Sequence, residues 1–104
     1  MSEVLTVVAC LRAKAGEHAR LREQLQRLVE PTRREAGCTT YDLHASNFDP
    51  GYFMFHEVWR SAADLDAHFK TPHMVAFAKL LPELLLEPMD LTKWTKLLPT
   101  SYVA

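Results

Sequence analysis

Residues 39–59 read TTYDLHASNFDPGYFMFHEVW. Thr39 to Ala45 and Tyr52 to Trp59 are rich in β-branched and aromatic residues, which favour strands. Between them, Ser46-Asn47-Phe48-Asp49-Pro50-Gly51 is dense in turn formers, so the stretch predicts an antiparallel hairpin. Upstream, Val4 to Leu11 predicts a first strand, and Lys14-Ala15-Gly16 a turn. From Glu17 the period changes to that of a helix, with Leu21, Leu25, Leu28 and Val29 on one side. Pro31 is expected to kink or end that helix, because it lacks an N–H and crowds the carbonyl of Arg27. A final turn is expected from Arg33 to Ala36, with Gly37 in the left-handed position beyond it. Downstream, Ser61 and Asp64 have the spacing of a capping box. Thr71 as cap and Pro72 at the first helical position open another helix, which carries Val75, Phe77, Leu80 and Leu81. Pro88 ends the helical region, and Asp90 to Leu97 predicts a fourth strand with a short tail.

The resulting order, β-α-β-β-α-β with the second helical region split at Pro72, predicts an α+β, ferredoxin-like domain spanning residues 1–104, with helices on one face of an antiparallel sheet. The strands carry apolar residues on both faces: Phe53 and Phe55 against Met54 and Val58, Leu5 and Val7 against Val4 and Val8. Two helical regions cover one face only. The other is expected to pack on the same face of a second copy, giving a homodimer. Net charge is −1, from 12 basic and 13 acidic residues, which gives no electrostatic case for nucleic acid or an anionic membrane. No apolar run approaches the roughly 20 residues of a membrane span, and the N-terminus lacks the basic start of a signal peptide. Cys10 and Cys38 are expected to be reduced thiols in the cytoplasm.

Two stretches resemble the antibiotic-biosynthesis-monooxygenase (ABM) family: EAGCTTYDLH, from Glu35 to His44, and FMFHEVWRSAADLDAHFKTPHMVAF, from Phe53 to Phe77. The spacing of Glu57, Trp59, His68, Thr71, Pro72 and His73 is similar to the family's pattern. The resemblance implies a dimeric α+β barrel, with a pocket in each subunit between its own sheet and helices. Such proteins include cofactor-free oxygenases of phenols and quinols, haem-degrading enzymes and an isomerase of a signal molecule. The haem-degrading members carry an asparagine in the first strand, a tryptophan in the second helical region and a haem-ligating histidine beyond it. Val8, His68 and Ala78 stand near those positions here, so the resemblance does not extend to haem degradation.

The chain has no glycine-rich nucleotide loop, no HExxH and no CxxC, so no cofactor and no metal is expected. A cofactor-free oxygenase needs a group to take the phenolic proton, a wall for the ring and exclusion of water. Histidine titrates in the right range. His18 falls on the polar side of the first helix. His68 and His73 flank the Thr71-Pro72 break and are the candidate catalytic bases, against a reading in which they cap helices or sit satisfied in the core. Five residues apart, they lack the spacing of a helical metal pair. Tyr41, Trp59 and Phe77 are candidate substrate-binding walls, with Trp94 a weaker one, against the bland reading of plain core. Glu57 interrupts an apolar strand face as a buried acid or a residue of the rim. His44 and His56 lie on the two arms of the hairpin and would meet only in one register. The resemblance, together with these candidate residues, implies a monooxygenase, an oxidoreductase acting on a small quinol-like aromatic. The alternative is a non-oxidative binding protein or isomerase on the same fold.

Overall fold

The computed structural model describes residues 3–97. Its elements are β1 (Leu5–Arg12), α1 (His18–Arg33), β2 (Cys38–Ala45), β3 (Tyr52–Trp59), α2 (Ala62–His68), α3 (Pro72–Leu84) and β4 (Asp90–Trp94). The strands form one antiparallel sheet in the order β2-β3-β1-β4, the ferredoxin-like α+β arrangement that the sequence predicts.

Alternation along the strands divides the sheet into two faces. Val7, Ala9 and Leu11 of β1 and Phe53, Phe55, Glu57 and Trp59 of β3 are buried under the helices. Their neighbours Val8, Cys10, Met54, His56 and Val58 lie half-buried on the opposite face, which no element among the described residues covers. α1 places Leu21, Leu25, Leu28 and Thr32 on the core. Burying each leucine contributes about 1.5–3 kcal/mol. In α3 the buried residues are Met74, Phe77 and Leu84. Val75 departs from expectation and is 45% exposed, because the core-facing stripe runs one position earlier, from Met74 through Phe77.

Three further local expectations change. α1 runs through Pro31 to Arg33: the proline sits in the last turn, and buried Leu28 and Thr32 hold that turn from either side. Gly37 is not left-handed, since Gly16 is the glycine with positive φ, at 83°. Gly37 is required for close approach instead: a Cβ there would fall 2.2 Å from Asp64 Cγ. Its carbonyl accepts a hydrogen bond from Arg60 N at 2.8 Å. β4 ends at Trp94 rather than Leu97, and the tail expected after it lies outside the described residues. Among the described residues, no helix is long and apolar enough to cross a membrane.

Candidate active site

The site grows from the break between α2 and α3. Ser61 caps α2 as its spacing predicts, its Oγ accepting from Asp64 N at 3.2 Å. The helix lasts seven residues and ends on His68. Thr71 stands at the N-cap position of α3, with Pro72 following, but its side chain does not cap that helix. Its hydroxyl turns back and donates to the carbonyl of His68 at 2.7 Å, satisfying one of the acceptors that a helix end leaves open. The break therefore fixes the two histidines relative to one another.

What ties them together is Glu35, in the connection between α1 and β2. Its Oε2 lies 2.8 Å from His68 Nδ1 and 2.8 Å from His73 Nε2. A carboxylate only accepts, so each of these ring nitrogens carries the hydrogen and donates. The hydroxyls of Thr32 and Thr71 lie 3.2 Å and 3.3 Å from His73 Nε2. With its proton on Nδ1, a neutral His68 keeps a lone pair on Nε2. Burial holds the His68 pKa below its usual value, opposed by the hydrogen bond and charge of Glu35. The ring packs against Trp59, with centroids 4.6 Å apart, and edge-on to Tyr41 at 5.6 Å.

His68 forms part of the wall of a narrow cavity between sheet and helices. Ala9, Leu11, Tyr41, Phe55 and Glu57 line it from the sheet, and Phe69, Met74 and Phe77 from the helical side. Tyr41 stacks on Phe55 with centroids 4.4 Å apart. The free space is about 10 Å³, close to the volume one water needs. Any larger ligand must displace side chains, and the methionines Met74 and Met89 in the wall are the most adaptable of them.

Glu57 is the carboxyl of this cavity and is 3% exposed. Trp59 Nε1–H donates to its Oε1 at 2.8 Å. Burial pushes its pKa up to about 7, the Trp59 bond opposes the rise, and the charge of Glu35 adds to it. Burial also raises the phenol of Tyr41 well above its ordinary value, so Tyr41 stays neutral.

Of the residues nominated from sequence, His68, Tyr41, Glu57 and Phe77 share the cavity wall. Trp59 stands behind it, fully buried, where it supports His68 and Glu57. His73 stands on the far side of Glu35, away from the cavity. On the uncovered face His56 is opposite Asp42 and Val8, and His44 is opposite Met54. Trp94 lies on that same face in the edge strand, opposite Thr6, 57% exposed. Glu35 and Thr32 went unnominated, because their partners lie 33 to 41 residues away and no local spacing announces them. For a cation, Glu35, His68 and His73 present three donor atoms within 4.8 Å of one another.

A family model described as antibiotic biosynthesis monooxygenase matches residues 4–80. "Putative monooxygenase Rv0793" of Mycobacterium tuberculosis is 34% identical over 92 residues, covering 88% of this chain and 90% of its own. The solved structure of Rv0793 superposes with a TM-score of 0.88 at 31% identity, covering 95% of this chain and 100% of that one. "Probable quinol monooxygenase YgiN" of Escherichia coli is 31% identical over 94 residues, covering 81% and 90%. "Uncharacterized protein sll1783" of Synechocystis is 39% identical over 66 residues, which are 64% of this chain and 45% of that protein's length.

Proposed function

Since this chain belongs to the antibiotic biosynthesis monooxygenase family, we propose that it oxidises a small, quinol-like phenol with dioxygen and without a cofactor, in the cavity lined by His68 and Glu57. The observation that carries this reading is a buried imidazole, tethered through Nδ1 to Glu35, in the wall of an aromatic cavity that also holds a buried carboxyl. Environments that keep an imidazole neutral and a carboxyl protonated divide the labour into one base and one acid.

In this scheme Tyr41, Phe55 and Phe77 hold the ring, and Trp59 positions the two titratable groups. His68 Nε2 takes the phenolic proton. The phenolate then supplies the electron pair that forms a bond between a ring carbon and dioxygen, and the carbon-bound peroxide takes up the proton that His68 received. As the O–O bond breaks, the ring carbon loses its hydrogen and becomes a carbonyl. The departing hydroxide becomes water with a proton from Glu57, and the proton lost from carbon restores it. One oxygen atom enters the product and the other leaves as water, so the substrate is the only reductant. His73 acts through Glu35, holding the carboxylate that orients His68.

The working unit in this reading is a homodimer in the cytoplasm, sheet face to sheet face. The uncovered half-buried apolar face supports the first part, and two free cysteines fit a reducing compartment. Oxygen consumption with a panel of naphthols, quinols and anthrones tests the reaction. Uptake of one dioxygen per quinone formed is expected. Binding of these compounds without any uptake would establish the non-oxidative alternative instead.

A further inference from the structure

We infer that Glu35, His68 and His73 form a binding site for a first-row divalent cation, with zinc as its natural probe. Two imidazoles and one carboxylate make up a donor set that zinc takes in its three-ligand sites, with the fourth position left to water. This departs from the expectation drawn from spacing. Five residues apart, the two histidines are not a helical pair, but the Thr71-Pro72 break turns the start of α3 back towards the end of α2. Both ring nitrogens then aim at one carboxylate oxygen, each at 2.8 Å. The three ligands come from three separate segments, so tertiary structure holds them together.

The geometry is close to that of a bound ion and differs from it in a defined way. A tetrahedral ion about 2.0–2.1 Å from each donor sets the donors roughly 3.3 Å apart. The two hydrogen bonds must therefore open by about half an ångström, and the two ring nitrogens, which lie within 4.8 Å of one another, must settle at that same spacing. His73 can yield, because it lies in the first turn of α3 with a side chain 21% exposed, whereas that of His68 is 1% exposed. The ion enters from the His73 side. Each neutral imidazole releases the proton now shared with Glu35 and carries one on its other nitrogen instead. Thr32 and Thr71 add two hydroxyl oxygens near His73 Nε2, at 3.2 Å and 3.3 Å. The other histidine pair offers no equivalent: His44 and His56 lie on the uncovered face, where Asp42 is held by Arg33 at 2.9 Å.

Zinc binding is tested apart from the oxygenase reading, since its detection needs no substrate; an ion on His68 Nδ1 moves the ring proton to Nε2, so the loaded site and the proposed base exclude one another. The test is calorimetric titration of the untagged, metal-free full chain with zinc chloride, followed by NMR of the imidazole nitrogens during the same titration. One ion per chain is expected, with the His68 and His73 signals shifting together and those of His44 and His56 unmoved. His73→Ala and Glu35→Gln should each weaken binding by roughly tenfold or more. Absence of binding, shifts confined to His44 and His56, or an undiminished affinity in a folded His73→Ala variant would overturn the assignment. Should both variants fail to fold, the NMR titration of the parent chain decides alone.

Discussion

A pair of histidines lies on either side of the sheet, and the two sides put the same side chain to opposite conditions. On the helical side, His68 at the end of α2 and His73 in the first turn of α3 share the Glu35 carboxylate, and His68 is enclosed by Trp59 and Tyr41. On the uncovered face, His44 is exposed opposite Met54, and the carboxylate nearest His56 in register, Asp42, is engaged by Arg33. A histidine is thus made a candidate base by what fixes its tautomer and excludes water, not by its presence near an aromatic strand.

The largest effect expected from this asymmetry is kinetic. His68→Gln should lower kcat by about 10²–10⁴, the usual contribution of a general base. His44→Gln should turn over substrate at the parent rate, and equal rates in the two variants would erase the distinction. Next comes the uncovered face itself. Val58→Asp places a charge on it and should convert a dimer into a monomer in sedimentation, because an obligate interface of this kind buries roughly 2,000 Å² or more. A parent chain already monomeric at micromolar concentration would show that this face needs no cover.

Glu57 sharpens the comparison through pH. Its folded pKa of about 7 lies above the ordinary carboxylate value. Between that ordinary value and 7, the unfolded chain releases a proton that the folded chain keeps. Stability should therefore fall as pH rises through this window and level off above it, by an amount on the order of 3 kcal/mol. Glu57→Gln retains an acceptor for Trp59 Nε1–H and removes the charge, so urea unfolding of this variant should lose most of that slope. The smallest effect concerns the two threonines Thr71 and Thr40. Thr71→Val removes the bond to the His68 carbonyl and should cost about 1 kcal/mol in thermal or urea unfolding, while Thr40→Val should be near neutral.

What the sequence discloses here is what local chemistry decides. The hairpin, the Ser61 cap and the N1 proline of α3 were legible because turn residues, capping spacings and alternation act over a few positions. So was the two-faced character of β1 and β3. The carboxylate at the centre of the site was not. Glu35 looks like any charged residue beyond a helix, and it meets His68 only because the connection packs closely onto α2 at Gly37 and Asp64. Gly37 misled for the same reason: a glycine after a helix usually serves a left-handed turn, and here it lets its segment pass close to Asp64 of α2. Thr71 has a capping residue's identity and position, but its hydroxyl donates to the carbonyl of His68, which also accepts from the Thr71 backbone N–H. The separation of Trp59 from the cavity wall likewise depends on tertiary packing.

The near absence of free volume in the cavity sets a rule for affinity. A protein whose resting site admits about one water binds a ring only in the fraction of time that its wall stands open. Every 1.4 kcal/mol needed to open it weakens the apparent affinity about tenfold, whatever the contacts made afterwards. Two ligands of equal contact area but unequal thickness are then ranked by the population each requires. Substitutions that loosen Met74 or Met89 should act on that population, and on the proposed reading would tune selectivity without touching His68 or Glu57.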